Sequence, residues 1–402
     1  MNTSSNLLAN RVSEIEESIT LKITGLAKTL RSEGKNILAF SAGEPDFDTP
    51  SHIKESGIRA IQEGKNKYTV ASGIPELKEA VCQKLLRDQN LTYSSDQIVI
   101  SCGAKHSIFN VLMATINPGD EVIVPSPYWV SYPEQIKLFG GQPIILQTTE
   151  ETGLKITPDQ LEKSITPKTK LLILNSPSNP TGMIYSKSEI EALADVVLAH
   201  NIWVLSDEIY EHLIYGNNTH FSIAQVSPEM KERTILVNGW SKAYAMTGWR
   251  LGFIACNPDL AKAVGKIQSQ STSNPTTCAQ WAGITALNGS QKAVNDMKAA
   301  FDERRQYTIQ TLNTISGITC LEPFGAFYAF PNISQYFGKS AQGGTITDSV
   351  TFCQFLLEES LVAVVPGSGF GAEGFIRFSY ATSKEAIVEG LNRLRSFVEG
   401  LH

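Results

Sequence analysis

Short apolar runs alternate with amphipathic helical patterns between about residues 98 and 250. Runs such as 171–174 and 235–237 are apolar at every position, as strands buried on both faces of a parallel sheet are. Between them, apolar residues recur at helical spacing, for example from Ile190 to Val197. This alternation predicts an α/β fold with a mostly parallel sheet flanked by helices.

Beyond about residue 260 the pattern becomes helical and then mixed, with short strands spread among helices. We therefore expect a smaller α+β domain behind the large one, with a linker near residues 299–314. Three parts are predicted: an N-terminal arm with part of the small domain (1–45), the large domain (46–298) and the small C-terminal domain (299–402).

Charge and cysteine usage exclude several classes of function. The chain of 402 residues has a net charge of −6, which gives no general attraction to nucleic acid or to anionic membranes. Its six cysteines lack Cys-x-x-Cys spacing, so we expect no metal site and a reducing, cytoplasmic location. The first eleven residues lack an apolar core, and no apolar stretch approaches ~20 residues, so neither a signal peptide nor a membrane span is expected.

A lysine follows the apolar run 235–237 and the turn at Asn238-Gly239. Ligands of open α/β sheets bind beyond the carboxyl ends of the strands, which is where Lys242 would lie. Apolar and aromatic neighbours favour the neutral amine, and neutral lysines form Schiff bases with aldehydes and ketones. Ser241 and Arg250 flank it and could hold a phosphate.

Other predicted strand ends carry further polar and aromatic groups. A glycine turn at Gly103 precedes a helix, whose N-terminus suits a phosphate. Asn179, Asp207 and Tyr210 follow two other strands, and Trp129 could be a stacking platform. Each has an ordinary structural role when taken alone. Together they are the set that pyridoxal 5′-phosphate requires: a lysine for the aldehyde, a helix N-terminus with an arginine for the phosphate, and a carboxylate for the ring nitrogen.

Four ordered motifs carry a resemblance to a known family. They are Ala-Gly43-Glu-Pro-Asp-Phe-Asp-Thr-Pro, Asn-Ser-Pro-Ser-Asn179-Pro-Thr-Gly, Ser-Asp207-Glu-Ile-Tyr210 and Ser-Lys242-Ala-Tyr-Ala-Met-Thr-Gly-Trp-Arg250. From about residue 11 to 394 the chain resembles the class I, fold-type I aminotransferases, pyridoxal-phosphate enzymes. It is most similar to the bacterial aspartate aminotransferases of the aspartate/prephenate subgroup. The resemblance makes the large domain the cofactor-binding one.

The resemblance also implies roles around the cofactor. Lys242 would bind its aldehyde and shuttle the substrate proton, Asp207 would pair with its ring nitrogen, and Trp129 would stack on its ring. The residues implied to contact its phenolic oxygen are Tyr210 and Asn179; those implied at its phosphate turn are Gly103, Ala104, Lys105, Ser241 and Arg250. Tyr68 resembles the tyrosine that is lent to the neighbouring subunit's phosphate, which implies a homodimer with shared active sites.

Substrate contacts are implied in the same way. Arg377 resembles the arginine that forks onto the α-carboxylate, helped by Asn179 and the backbone of Gly43, with Trp129 also beside the substrate. One position departs from the animal and enteric enzymes: where they carry an arginine for the distal carboxylate, this chain has Ser269. In the bacterial subgroup a lysine resembles the replacement for this arginine. Lys105 lies at the position that matches that lysine.

The implied reaction is a ping-pong transfer from L-aspartate to 2-oxoglutarate that yields oxaloacetate and L-glutamate, with the small domain closing on the substrate. Three alternatives stay open. They are transamination of prephenate or of aromatic amino acids, β-elimination from a cystathionine-like substrate, and a regulatory protein without enzymatic activity. The last has little support because no basic helix-turn-helix extension is visible.

Overall fold

The computed structural model describes residues 7–402. The strands of this range are β1 (Leu38–Ala39), β2 (Ile98–Ser101), β3 (Glu121–Pro125), β4 (Gln142–Leu146), β5 (Thr169–Asn175), β6 (Trp203–Asp207), β7 (Thr234–Gly239), β8 (Gly252–Ala255), β9 (Tyr328–Ala329), β10 (Ser340–Ala341), β11 (Gly344–Thr345), β12 (Val362–Ala363), β13 (Val365–Pro366) and β14 (Ile376–Ser379).

The α-helices of the same range are α1 (Ile19–Ser32), α2 (Ser51–Gln62), α3 (Pro75–Gln89), α4 (Ala104–Thr115), α5 (Ser131–Leu138), α6 (Pro158–Ser164), α7 (Lys187–His200), α8 (Pro228–Glu232), α9 (Pro258–Ser271), α10 (Thr277–Asn288), α11 (Lys292–Leu312), α12 (Ser349–Ser360) and α13 (Lys384–Glu399).

A seven-stranded sheet organises the chain from β2 to β8. Its strand order is β2-β8-β7-β6-β5-β3-β4. Every pairing in it is parallel except the two made by β8, which runs against both β2 and β7. The predicted α/β class with a mostly parallel sheet is therefore confirmed.

Helices cover both faces of this sheet, and alternate strand residues point to opposite layers. On β5, Ile173 joins the cluster that packs against α4, whereas Leu172 joins the cluster that packs against α7. Both side chains are fully buried, which explains why β5 is apolar at successive positions. Truncating Leu172 to alanine should cost about 3 kcal/mol of folding free energy.

Side-chain caps fix where several of the helices begin. Ser186 accepts a hydrogen bond from the backbone N–H of Glu189, whose carboxylate accepts one from the Ser186 N–H. Such a box satisfies two N–H groups that a helix start leaves without partners, and each cap contributes about 1 kcal/mol. The starts of these helices are therefore encoded locally.

The C-terminal part of the chain builds a separate small sheet, ordered β13-β14-β9 and antiparallel throughout. Strand β1 pairs in parallel with β12, so this strand of the N-terminal arm packs against the C-terminal part. The predicted linker at 299–314 lies almost wholly within α11, which runs without a break. The domain boundaries at 45 and 298 stay predictions. In residues 7–402 we find no helix that is both long and apolar enough to cross a membrane.

Candidate active site

The carboxyl ends of the parallel strands meet along one edge of the large sheet. Asn175 ends β5 and lies opposite Asp207, the last residue of β6. The Asn175 amide donates a 2.9 Å hydrogen bond to the backbone oxygen of Asp207. Lys242 follows the neighbouring strand β7 by three residues. The topology thus places three chemically active segments side by side.

A cavity of about 460 Å³ opens at this edge. It brings together most of the residues that the sequence singled out: Gly43, Ala104, Lys105, Trp129, Asn179, Asp207, Tyr210, Ser241, Lys242, Arg250 and Arg377. The sequence therefore anticipated much of the lining of one concave site.

The amine of Lys242 lies deep in this cavity. It donates a hydrogen bond to the backbone oxygen of Gly43. It also lies 5.7 Å from the ring centroids of both Tyr210 and Phe327. Burial, reinforced by the charge of Arg377, lowers the pKa of Lys242 to about 8. An appreciable fraction of the amine is therefore neutral and nucleophilic near neutral pH.

Asp207 is the buried acid of the site, with an exposed fraction of 4%. One oxygen accepts a 2.7 Å hydrogen bond from the Tyr132 hydroxyl, and the other accepts a 3.3 Å bond from the Ile209 N–H. Burial raises the pKa of Asp207 to about 6, although the Tyr132 bond lowers it. If a ligand placed a protonated ring nitrogen next to this carboxylate, the buried negative charge would gain a positively charged partner.

Two buried tyrosines face each other beside the lysine. The hydroxyls of Tyr210 and Tyr328 lie 2.9 Å apart, so either one can donate to the other. Burial raises the pKa of Tyr210, and the neighbouring Tyr328 adds to the effect. Both phenols therefore stay protonated at neutral pH and can donate to an anionic oxygen.

Arg377 is a buried cation without an acidic partner in residues 7–402, and its exposed fraction is 2%. Its Nη1 donates to Oδ1 of Asn179 at 3.0 Å and its Nη2 donates to the Ser41 carbonyl at 2.8 Å. Its Nε has no hydrogen-bond partner. The guanidinium lies 4.6 Å from the Tyr328 ring, and burial lowers the pKa of Arg377. A buried guanidinium with a spare donor is ready to bind a carboxylate.

The N-terminus of α4 forms an anion cradle with Arg250. Gly103 precedes the helix with φ of +91°, and a Cβ at this position would lie 2.5 Å from Nη2 of Arg250. Only glycine therefore lets the guanidinium come so close to the turn. The first N–H groups of α4 have no partner within the helix, and Ser241 lies at the cavity wall. These donors fit a phosphate.

At the outer side of the cavity, Nζ of Lys105 lies 4.7 Å from the centroid of the Trp129 ring. Burial lowers the pKa of Lys105, and the charge of Arg250 adds to this effect. Trp129 in turn packs edge-on against Tyr132 with centroids 5.3 Å apart. Ser269 is exposed on α9 and donates to the Lys266 carbonyl, so it does not line this cavity.

Two predicted site residues lie outside the cavity lining. Gly103 acts through the backbone turn described above. Tyr68 is 90% exposed on the surface of the chain, and its predicted contact requires a second subunit.

Sequence reasoning missed several lining residues. The hydroxyl of Tyr132 forms a hydrogen bond with Asp207, and that of Tyr328 forms one with Tyr210. In the sequence Tyr132 belongs to a helical pattern and Tyr328 to a strand pattern, where an aromatic residue is typical of core packing. Ser18, Thr20 and Thr24 of the N-terminal segment also line the cavity. The sequence signal for these residues is their spacing at the start of α1. The polar residues of a solvent-exposed helix face have the same spacing.

Comparison with known proteins gives one consistent family. A model of the family "aminotransferase class I and II" matches residues 35–394. The aspartate aminotransferase of Geobacillus stearothermophilus is 48% identical over 98% of this chain and 99% of its own length. The aspartate/prephenate aminotransferase of Cereibacter sphaeroides is 46% identical over the same shares. A solved structure of the Thermus thermophilus aspartate aminotransferase with maleate matches with a TM-score of 0.92 and 41% identity, covering 97% of this chain and 99% of that one.

Proposed function

The chain belongs to the class I and II aminotransferases, with the fold-type I architecture, and on this premise we propose that it transfers the amino group of L-aspartate to 2-oxoglutarate. Pyridoxal 5′-phosphate is the proposed cofactor. One observation carries the proposal: a desolvated lysine amine, a buried aspartate and an unpaired buried arginine face one cavity.

The residues present fit this cofactor at each of its polar ends. The carboxylate of Asp207 would pair with the ring nitrogen, and Tyr210 with Asn179 would donate to the phenolic oxygen. Arg250, Ser241 and the first N–H groups of α4 (Ala104 and Lys105) would hold the phosphate, and Trp129 would stack on the ring. When bound, pyridoxal 5′-phosphate supplies an aldehyde for amines and a protonated ring that accepts electrons from the substrate α-carbon.

Lys242 performs the proton transfer in this proposal. Its lowered pKa leaves Nζ able to take the α-proton of the amino acid, and the resulting ammonium can then act as the acid. The Gly43 carbonyl and the aromatic rings beside it hold the amine in place.

Arg377 and Asn179 orient the substrate. The guanidinium would fork onto the α-carboxylate, because its Nε is free and its other nitrogens are fixed by Asn179 and Ser41. Lys105, which also lines the cavity, would bind the second carboxylate. Two charge contacts at either end fix the reacting carbon and favour dicarboxylic substrates.

A second candidate substrate is prephenate. The Cereibacter sphaeroides relative, which is named an aspartate/prephenate aminotransferase, is nearly as similar to this chain as the aspartate-named one. Prephenate also carries two carboxylates, so Arg377 and Lys105 could bind it in the same way. Values of kcat/KM for prephenate and for oxaloacetate as amino acceptors decide between them.

We propose that this enzyme is a cytoplasmic homodimer. All six cysteines are unpaired, which agrees with a reducing compartment. Tyr68 projects from the surface at 90% exposure and would reach the phosphate site of the partner subunit.

An absorbance spectrum tests the proposal directly. Purified protein with pyridoxal 5′-phosphate should show a visible band that bleaches when L-aspartate is added and returns with 2-oxoglutarate. Release of pyruvate and ammonia from a cystathionine-like substrate would instead indicate β-elimination. A protein that shows no band would contradict the proposal.

A further inference from the structure

The strands β6 and β7 lose their backbone pairing just before they reach the cavity. The last bond between them joins the Glu208 N–H to the Val237 carbonyl at 2.9 Å. Beyond it, the described chain has no backbone hydrogen bond between residues 209–213 and residues 238–242. Tyr210 lies on the first of these segments and Lys242 on the second. A side-chain contact at this point would therefore help to fix their separation.

The side chain of Asn238 makes this contact. Its Nδ2 donates a 2.6 Å hydrogen bond to Oε1 of Glu211, the residue next to Tyr210. Its Oδ1 accepts a 2.7 Å bond from the N–H of Gly239, in the turn that leads to Lys242. The exposed fraction of Asn238 is only 3%. One buried amide thus joins the two segments where the ladder ends.

Glu211 is in turn held from its other side. Lys84 forms an ion pair with its carboxylate, and Gln89 donates to its second oxygen at 2.7 Å. Burial alone would raise the pKa of Glu211, but the nearby Lys84, His212 and His220 together outweigh burial and bring the pKa to about 2. The Asn238 amide therefore donates to a permanent anion, which makes the bond strong.

A second buried carboxylate extends the same network. Glu208 accepts hydrogen bonds from Ser206 at 2.8 Å and Gln89 at 2.9 Å, and it pairs with His220 at 2.7 Å. The ligand atoms of Glu208, Glu211 and His220 lie within 4.8 Å of one another, a spacing that a metal ion could use. Their oxygens already accept these donors, however, and Lys84 supplies positive charge. We therefore interpret this cluster as a hydrogen-bonded network that holds Glu211 in place.

We propose that Asn238 is a positioning residue, which sets the distance between Tyr210 and Lys242 by tying Glu211 to the turn after β7. The inference rests on the proposed function, because both residues act there on the same cofactor. Without the Asn238–Glu211 hydrogen bond, Tyr210 would be held less rigidly next to the phenolic oxygen of the cofactor. Lys242 would also spend less time in line with the substrate proton.

Two substitutions separate the two bonds of this amide. Asn238→Asp keeps an acceptor for the Gly239 N–H but removes the donor to Glu211, whereas Asn238→Ala removes both. The Ala variant adds no charge and covers the case in which the added carboxylate destabilises the fold. Asn313→Ala is the matched control: this amide also bonds a backbone N–H and a carbonyl, those of Cys320, but lies outside the cavity lining.

Both Asn238 variants, loaded with pyridoxal 5′-phosphate, should lose about 10- to 100-fold in kcat with KM for aspartate changed much less. The pH midpoint of the bound cofactor's absorbance should rise by about half a unit to one unit, since a donor to its anionic oxygen is weakened. The Asn313→Ala enzyme should match the wild type in both readouts. A loss of thermal stability alone would not move the midpoint.

The outcomes distinguish this inference from the proposed function. If the wild type shows no absorbance band with pyridoxal 5′-phosphate, the proposed function is wrong and the inference falls with it. If the wild type is active and folded Asn238→Asp equals it in kcat and midpoint, only the inference is wrong. The same conclusion holds if Asn238→Ala, tested in place of an unstable Asp variant, is indistinguishable from the wild type.

Discussion

Nη1 of Arg377 donates a 3.0 Å hydrogen bond to Oδ1 of Asn179, although 198 positions separate the two residues along the chain. Asn179 follows the strand β5 of the large sheet, and Arg377 lies on β14 of the small one. Because the bond crosses from one sheet to the other, a substrate carboxylate bound by both side chains would contact both parts of the molecule.

Replacement of Arg377 by lysine tests the carboxylate fork. An ammonium cannot donate to Asn179, the Ser41 carbonyl and a substrate carboxylate in one plane. We expect kcat/KM for aspartate to fall by about 100-fold, or ~3 kcal/mol. Steady-state kinetics measure it. Arg393→Lys on α13, where the guanidinium also bonds a backbone carbonyl, is the control and should behave as the wild type. Equal kinetics for both variants would contradict the assignment.

Replacement of Lys105 by alanine tests recognition of the distal carboxylate. We expect kcat/KM for aspartate to fall by about 10- to 100-fold while that for alanine changes little, because one charge-assisted contact is lost. Lys266→Ala removes an exposed cation on α9 and should leave the ratio unaltered. An undiminished preference for aspartate over alanine in the Lys105 variant would remove the proposal.

Replacement of Lys242 tests the proton transfer. Lys242→Ala should fold normally but lose at least about 10³-fold in turnover, since the variant has no amine at the position of the Lys242 Nζ. Lys242→Arg keeps a positive charge yet cannot release its proton at neutral pH, so it should be as inactive. Thermal unfolding with initial-rate assays would establish both points. Full turnover in either variant would overturn the mechanism.

The raised pKa of Asp207 predicts a pH effect in the cofactor-free protein. Between its unfolded value of 3.8 and about 6, the folded state binds more protons than the unfolded state. Stability contributed by this group is therefore lost as pH rises through that window. We compare the free energy of unfolding of cofactor-free Asp207→Asn with that of the cofactor-free wild type. The difference should favour the variant by up to about 3 kcal/mol more at pH 7 than at pH 4.

Chemical denaturation at the two pH values measures this difference. Asp259→Asn, at an exposed position on α9, is the control and should show no such pH-dependent gain. If the free energy of unfolding of Asp207→Asn differs from that of the wild type by the same amount at both pH values, burial does not raise the pKa of this carboxylate.

Replacement of Tyr68 by phenylalanine tests the shared site. Tyr68 is 90% exposed and does not line the cavity of its own chain, so its proposed contact is with the phosphate of a partner subunit. We expect the Kd for pyridoxal 5′-phosphate to rise about tenfold, the value of one hydrogen bond to a charged group. Titration of cofactor-free protein gives the Kd, and sedimentation gives the oligomeric state. Unchanged affinity in a verified dimer would show that Tyr68 does not reach the phosphate.

Several features of the fold and the site were readable from the sequence. The fully apolar run of β5 predicted a doubly covered strand, and the box at Ser186 predicted the start of α7. Lys242, Asp207 and Asn179 lie at or just after the ends of such strands, where ligands of α/β sheets bind, so their neighbourhood could be anticipated. The roles of Tyr68 and Arg377 came from the resemblance to the family and from no local pattern.

Other features depend on the tertiary structure because they join residues far apart in the chain. Strand β8 runs against its neighbours, and its four residues do not show that direction. The hydroxyls of Tyr132 and Tyr328 become part of the site only when the tertiary structure brings them to Asp207 and Tyr210. Local sequence determined which segments become strands and helices and which reactive groups follow them. Burial and long-range contacts decided the pKa of Lys242 and Asp207, because both depend on how much water and which charges the folded chain leaves around them.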